Sequence, residues 1–173
     1  DYVLSRTDDV IATAANANRR LSEDEVKELQ KLRQVEIEKY LDAGMGECWL
    51  RQPEFARVVS EAVKQFHGER YSLFSWVVMP NHVHVVLKPH DDFPLDSILH
   101  SWKSYTAKKI NRMLGRRGRF WMREYYDHLI RNQDEFLRIM AYVRNNPRKC
   151  GLSNWQWFWE EKEALERPPP FSH

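Results

Sequence analysis

Cysteine is scarce in this sequence, since Cys48 and Cys150 are the only two among 173 residues. They lie far apart and form no CxxC pair, which argues against a disulfide-stapled scaffold and against a cysteine zinc cluster. Long apolar runs are also missing, because none approaches the roughly 20 residues that a membrane-spanning helix needs. No secretory signal pattern opens the sequence, and we therefore expect a cytoplasmic protein without a membrane partner.

Acidic residues are absent from Ser97 to Arg123, although the net charge of the whole chain is only +2. Basic and aromatic residues alternate in this span, a composition typical of proteins that bind a polyanion. The alternative is a solvated helix face followed by a basic loop. We favour nucleic acid as the partner, bound with strong salt dependence. The candidate phosphate-binding residues are Lys103, Lys108, Lys109, Arg112, Arg116, Arg117, Arg119 and Arg123.

Two histidines one residue apart, His82 and His84, lie inside the apolar run Trp76–Leu87. Alternate residues of a β-strand share a face, so both imidazoles leave the same side, and Val83 and its apolar neighbours pack on the other. Two neutral imidazoles side by side are suited to bind one metal ion. The alternative is a pair of polar residues on the solvent face of a half-buried strand.

Capping signals and apolar residues at helical spacing predict four helices. They are expected over Ser22–Leu41, from Pro53, from Asp96 or Ser97, and over Asp134–Asn145 with an end near Pro147. The third helix is expected to turn one side to the core, made of Ile98, Trp102, Tyr105, Ile110 and Met113. An antiparallel hairpin is predicted from Tyr71–Val78 and His82–Lys88, and a short strand from Tyr125–Ile130. Trp155–Trp159 is expected to pack back onto the body of the protein.

The last predicted helix carries two different stripes. Its apolar stripe consists of Phe136, Ile139, Met140 and Val143. Arg138, Tyr142 and Asn146 follow at intervals of four and therefore stack on one face beside it. An amide oxygen suits Mg²⁺ or Mn²⁺, and a phenol could attack a substrate that such an ion holds. Taken singly, Tyr142 also fits a half-buried boundary aromatic, and Asn146 a helix-end residue placed by Pro147.

Four segments together resemble the REP-associated tyrosine transposases, which belong to the single-tyrosine HUH transposase superfamily. These segments are Trp76–Pro89, Ser101–Asn111, Gly118–Asp127 and Tyr142–Gly151. They occur in the family's order, and the resemblance covers roughly residues 45–155. It departs from the family pattern at the N-terminus, where the family opens with a clear first strand and this chain offers only Tyr2–Leu4.

The resemblance implies a ferredoxin-like α+β fold, in which an antiparallel sheet carries the histidine strand and helices lie on one or both faces. It implies that His82, His84 and Asn146 bind a divalent metal, Mg²⁺ or Mn²⁺, and that Tyr142 is the nucleophile. A free tyrosine has a pKa of about 10, so such a nucleophile depends on its surroundings for activation. No general base is evident from the sequence.

The implied substrate is single-stranded DNA with a hairpin, cut and rejoined through a 5′-phosphotyrosine by a monomer or a homodimer. The predicted organisation is an N-terminal segment over 1–20, a nuclease domain over 21–160 and a C-terminal tail over 161–173. Two other functions stay open: a non-catalytic protein of this fold that binds single-stranded DNA or RNA, and a metal-dependent hydrolase in which water attacks.

Other residues compete for roles in the site. Tyr125 and Tyr126, next to His128, are rival nucleophiles, although one of them would point inward if the segment is a strand. His90, His100 and His128 are considered as additional ligands and set aside, because a scattered histidine is more often a surface or hydrogen-bonding residue.

Overall fold

The computed structural model describes residues 20–29, 32, 47–122 and 125–171. The chain divides into two units, Asp1–Met45 and Gly46–His173, which are described separately. Several predictions fall outside the described residues: the Tyr2–Leu4 strand, the helix end at Leu41, and Arg123 of the basic segment.

In the first unit, residues 23–29 are helical, and the predicted capping box is formed. The backbone N–H of Ser22 donates to Glu25 Oε2 at 2.8 Å, and the Glu25 N–H donates to Ser22 Oγ at 3.3 Å. The predicted start of this helix is therefore confirmed, because Ser22 and Glu25 exchange the two reciprocal hydrogen bonds of a capping box.

The second unit consists of helices around a small sheet. A 3₁₀ turn at Trp49–Arg51 is followed by α1 (Pro53–Lys64), β1 (Tyr71–Val78), β2 (Val83–Pro89), α2 (Leu95–Met113), α3 (Gln133–Lys149), β3 (Phe158–Glu160) and α4 (Lys162–Glu166). The strands form an antiparallel sheet in the order β2–β1–β3. The predicted α+β class with an antiparallel sheet is confirmed. In the described part of the chain, no helix combines the length and apolar character needed to cross a membrane.

The hairpin of β1 and β2 forms as predicted. Tyr71 lies opposite Pro89, and Val78 lies opposite Val83. The turn between them closes when the Met79 N–H donates to the His82 carbonyl at 2.8 Å. This arrangement brings the histidine pair to the start of β2, immediately after a tight turn.

The sheet has a hydrophobic core on each face. Trp76 and Val78 of β1 pack into the core that includes α1 and α2, whereas Val77 and the following Met79 pack into the core that includes α3. Successive residues of a strand point to opposite faces, so this alternation places α3 on the side opposite α1 and α2.

The register of β2 assigns the histidines to one of these faces. Val83 and Val85 pack against the α1/α2 core, whereas Val86 is buried in the α3 core. His84 lies opposite Val77, a fully buried residue of the α3 core. Cross-strand partners share a face, so His84 and, two residues earlier, His82 are presented toward α3.

The apolar side of α2 is narrower than predicted. Ile98, Trp102 and Ile110 are buried as expected, but Tyr105 and Met113 are 49% and 46% exposed. Buried residues four positions apart drift about 40° around the helix at each step. This drift leaves Tyr105 at the margin of the stripe, and Met113 is the last residue of the helix.

The prediction of a strand over Tyr125–Ile130 is wrong, because this segment has no strand pairing. The free edge of β1 is occupied instead by β3, where Trp159 lies opposite Trp76. Trp155 contributes to the same contact by donating its indole N–H to the Val78 carbonyl at 2.7 Å. The expected return of Trp155–Trp159 to the body is therefore confirmed, and it leads into an added strand at Phe158–Glu160 whose partner is distant in sequence.

The prediction that the last helix ends near Pro147 is also wrong, because α3 continues to Lys149. The helix ends in a Schellman motif: the Gly151 N–H donates to the Arg148 carbonyl at 3.1 Å and the Leu152 N–H to the Pro147 carbonyl at 2.9 Å. Gly151 adopts a φ of 70°, which glycine tolerates. Pro147 removes one intrahelical hydrogen bond, and the cap after it terminates the helix.

Residues after β3 remain attached to the body. Ala164 of α4 is buried in the α3 core, and the ring of Phe171 lies 6.0 Å from that of Phe136. The three-part division into 1–20, 21–160 and 161–173 stays a prediction.

An ion pair connects α3 to the sheet, and its strength can be measured. Arg144 Nε lies 3.0 and 2.9 Å from the two carboxylate oxygens of Glu160. We expect a double-mutant cycle of Arg144→Met and Glu160→Gln, measured by urea unfolding, to give a coupling of about 1 kcal/mol, because the pair is bidentate but partly exposed. The coupling should shrink in high salt; a coupling of zero in low salt would show that the pair does not stabilise the packing of α3.

Candidate active site

The two histidine rings converge at the start of β2. Their Nε2 atoms are 3.0 Å apart, and the ring planes are nearly perpendicular at 88°. His82 is 8% exposed, so its ring has little contact with solvent. Two nitrogens at this separation match adjacent ligands of an octahedral ion whose bonds are about 2.1 Å long.

Asn81 orients the first of these rings. Its Oδ1 lies 2.7 Å from His82 Nδ1, and an amide oxygen only accepts, so Nδ1 carries the proton in this hydrogen bond. Nε2 of the neutral ring is then the nitrogen without a proton, and an unprotonated imidazole nitrogen is the form that binds a metal. Burial lowers the pKa of His82 to about 4 and keeps the ring neutral at physiological pH.

Asn146 brings a third group to the histidine pair from α3. Its side chain is completely buried, and Nδ2 lies 3.3 Å from His84 Nε2. A half-turn of the amide presents Oδ1 in place of Nδ2, the atom that a hard cation takes. The Cys150 thiol lies 3.9 Å from Oδ1.

The donor set fits a divalent metal with mixed nitrogen and oxygen ligation. Among the described residues, no group of three or more His, Cys, Asp or Glu side chains is placed to hold an ion. Two imidazoles and one neutral amide therefore leave further coordination positions for water or substrate oxygens. Such ligation suits Mg²⁺ or Mn²⁺, and two imidazoles favour Mn²⁺ slightly.

Tyr142 packs directly against this group. Its ring centroid lies 5.3 Å from that of His84, with the rings at 82° to each other. Tyr142 precedes Asn146 by four residues, so one face of α3 carries both groups. The third member of the predicted stripe, Arg138, is exposed and forms an ion pair with Glu135 at 3.6 Å.

Sequence reasoning missed Lys149. Its Nζ lies 4.8 Å from the centroid of the Tyr142 ring, in cation–π geometry. The two residues are seven apart, a helical spacing that could have indicated the contact. The expected end of the helix near Pro147 concealed it, because the contact requires the helical turn that follows the proline.

The rival groups have other partners. Tyr125 donates its hydroxyl to Asp96, and this hydrogen bond raises the pKa of Tyr125 to about 12. His128 lies 2.8 Å from Glu135 Oε1, and His90 hydrogen-bonds the Glu69 carbonyl at 3.0 Å. The tyrosine ring that packs on His84 is that of Tyr142.

The predicted phosphate-binding residues are spread over two elements. Lys103, Lys108, Lys109 and Arg112 lie on α2, and Arg116, Arg117 and Arg119 lie on the loop after it. Lys108 and Arg112 are exposed and four residues apart, so they share a face, while Lys103 lies about 140° around the helix from Lys108. Lys109 donates to the Tyr105 hydroxyl at 3.1 Å. The four helix residues therefore do not form a single surface.

The basic loop reaches the histidine strand. Arg116 and Arg119 line the same pocket as Asn81, the residue that hydrogen-bonds His82. Arg116 is fixed in place by a hydrogen bond of 3.1 Å to the Arg119 carbonyl. Two of the predicted cations are thus brought near the histidine pair, although the sequence separates them by more than thirty residues.

Comparison with known proteins adds a family. A model described as "Transposase IS200 like" matches residues 50–146, a span that includes both histidines, Tyr142 and Asn146. An uncharacterized protein of Haemophilus influenzae is 28% identical over 126 residues, covering 58% of this chain and 61% of the relative. The chain thus spans about three fifths of the length of that curated relative. No solved structure matches.

The burial of His82 predicts a stability loss in mild acid. Its folded-state pKa of about 4 lies below the ordinary value of 6.5, so the unfolded chain binds a proton first as the pH falls. The stability present above about pH 6.5 is then lost progressively toward pH 4. We expect a loss of about 2 kcal/mol between pH 7.5 and pH 5 in EDTA, measured by urea unfolding. His82→Asn should lack this component; an identical loss in both proteins would contradict the assignment.

Proposed function

This chain belongs to the IS200-like transposase family, whose members act on DNA, and on that premise we propose that it is a metal-dependent single-stranded DNA endonuclease and strand transferase. Its substrate is hairpin DNA of the kind implied by the REP-associated resemblance. The observation that carries the proposal is the packing of the Tyr142 ring against His84, whose Nε2 lies 3.0 Å from His82 Nε2 and 3.3 Å from Asn146 Nδ2.

His82, His84 and Asn146 are the residues that would hold the metal ion. When bound, the ion supplies electrostatic stabilisation to the phosphate oxygens of the substrate. The chain contributes a buried, preorganised cage: Asn81 fixes the His82 ring, and burial keeps that ring neutral. Mg²⁺ and Mn²⁺ are both compatible with these donors.

Tyr142 is the proposed nucleophile. Its phenol oxygen attacks a phosphodiester phosphorus, and a new P–O bond to tyrosine forms as the bond from phosphorus to the 3′-oxygen breaks. The phenolic proton passes to solvent, and the leaving 3′-oxygen takes up a proton to become a free hydroxyl. Because the tyrosyl ester is a phosphodiester as well, attack by another 3′-hydroxyl reverses the step and joins strands without ATP.

Lys149 is proposed to position and activate the tyrosine. Its ammonium group lies over the Tyr142 ring. At that position the positive charge stabilises the negative charge that the ring gains as the phenol loses its proton. A cation at this distance also offers a contact for the negatively charged DNA backbone. By stabilising the phenolate, Lys149 would lower the demand for a general base, while the proton itself passes to solvent.

The covalent intermediate gives the decisive test. A hairpin oligonucleotide from palindromic repeats flanking the gene, with single-stranded flanks and a label at either end, is incubated with the protein and Mn²⁺. We expect an adduct on a denaturing gel that carries the 3′ label, because the tyrosine retains the 5′-phosphate. Tyr142→Phe should abolish the adduct, and the matched control Tyr126→Phe should retain it.

Each other outcome favours a different function. Cleavage without an adduct in either protein would support a hydrolase in which water attacks. Tight binding with no cleavage of any flanking repeat would support the non-catalytic binding protein. Loss of the adduct in Tyr126→Phe, but not in Tyr142→Phe, would identify the other tyrosine as the nucleophile.

Lys149 can be tested separately from DNA binding. At saturating DNA we expect Lys149→Met to form the adduct about three- to tenfold more slowly, whereas Lys149→Arg keeps most of the rate. Arg148→Met is the control, since it removes the same charge from the neighbouring position. Equal losses in Lys149→Met and Arg148→Met would indicate a general effect of charge and contradict a specific role for Lys149.

A further inference from the structure

A pocket of about 130 Å³ opens beside the histidine hairpin. It is lined by residues from three places in the chain, including Trp49, Asn81, Arg116, Arg119, Phe120 and Trp121. Pockets for drug-sized molecules typically enclose about 300–1,000 Å³, so this one has room for a single small group. Apart from Asn81, which orients the His82 ring, no member of this set has a role in the Tyr142 step.

The aromatic wall of the pocket is held rigidly. Phe120 and Trp121 contact each other edge to face, with centroids 5.0 Å apart at 86°. The Trp121 indole N–H donates to Thr106 Oγ1 at 2.8 Å, and Thr106 is only 1% exposed. The orientation of Trp121 is therefore anchored in the buried side of α2, although both rings follow a glycine-containing loop.

The Trp49 indole, which also lines the pocket, has an unmet hydrogen bond. In the described part of the chain, the buried Nε1 of Trp49 has no hydrogen-bond partner. Such a buried donor costs about 1–3 kcal/mol unless a ligand or water accepts from it. Ring nitrogens and carbonyl oxygens of nucleobases are acceptors of the required kind.

Two arginines and one carboxylate, that of Glu47, line the pocket together with these rings, so its net charge is positive. The guanidinium carbon of Arg116 lies 5.9 Å from the centroid of the Trp49 ring, and Arg119 lines the same pocket. Aromatic rings combined with arginines are typical of sites where unpaired bases stack while the backbone is neutralised. A site for phosphate alone would not need the three aromatic residues, and a site for an apolar peptide would not need the arginines.

The pocket is linked to the candidate active site by two short contacts. The Leu50 N–H, next to Trp49, donates to the Pro80 carbonyl at 2.9 Å in the hairpin turn. The following residue, Asn81, lines the pocket and also hydrogen-bonds His82. The pocket and the candidate active site therefore share Asn81, which borders both.

From these observations we propose that this pocket binds one unpaired nucleobase of the DNA strand close to the cleaved phosphodiester. The base stacks on the aromatic wall, accepts a hydrogen bond from the Trp49 indole, and leaves its phosphates to Arg116 and Arg119. This proposal rests on the proposed function, because the pocket would hold part of the same single-stranded substrate. It also implies that the strand is selected by a base, and not by backbone charge alone.

Base-containing and base-free strands of equal charge test the proposal. The probes are the 12-mers dT12, dA12 and dC12, and a 12-mer of abasic deoxyribose phosphates, bound to the full chain in EDTA at one salt concentration. We expect at least one base-containing strand to bind about tenfold more tightly than the abasic strand. Phe120→Leu and Trp49→Phe should each reduce this ratio, and Tyr105→Leu, an exposed aromatic of the basic segment outside the pocket, should leave it unchanged.

The alternatives separate cleanly. Equal binding of all four strands, or a ratio that survives both pocket variants, would overturn the pocket. If Phe120→Leu fails to fold by circular dichroism, Trp49→Phe decides the question, since it removes the indole N–H and keeps an aromatic ring. If the protein prefers base-containing over abasic strands as expected but forms no covalent adduct, only the proposed cleavage is contradicted. If it forms the adduct but binds both kinds of strand equally, only the base pocket is contradicted.

Discussion

The candidate site depends on the register in which β1 pairs with β2, because that register sets His84 opposite the buried Val77. A slip of one residue would turn both histidine side chains to the other face of the sheet, away from α3. The apolar neighbours oppose such a slip, since Val83 and Val85 would leave one core as the histidines entered it. Hydrophobic burial on one face thus fixes the position of polar groups on the other.

The second half of the site depends on how α3 lies on that face. Met140 and Val143 are buried against the sheet, and the residues beside them, Tyr142 and Asn146, are carried to the histidines by helical spacing. Arg144 adds a bidentate ion pair with β3 that fixes the same helix from its other side. The nucleophile candidate and the buried amide therefore move as one rigid element, and their separation does not depend on a flexible loop.

The parts of this arrangement that could be predicted from sequence are those that follow from the spacing of residues within one strand or helix. A period of two placed His82 and His84 on one face, and a spacing of four placed Tyr142 beside Asn146. Contacts between distant segments were not accessible, because neither β3 nor the base pocket has a local signature: each forms only when the fold brings its parts together. The end of α3 was mispredicted because a proline is a strong stop signal, yet the Gly151 cap one turn later terminates the helix.

That continuation past Pro147 has an electrostatic consequence. The aligned peptide groups of a helix give its C-terminal end about half a negative charge, and Asn146 lies in the last turn of α3. The partial negative charge at the end of α3 therefore attracts a cation to the same place as the lone pairs of the buried side-chain donors. Arg148 and Lys149, in the same turn, are exposed. At this helix end the exposed side chains are positive and the backbone pole is negative. A phosphodiester arriving from solvent therefore meets the positive side chains first, and the negative pole that would repel it lies behind them.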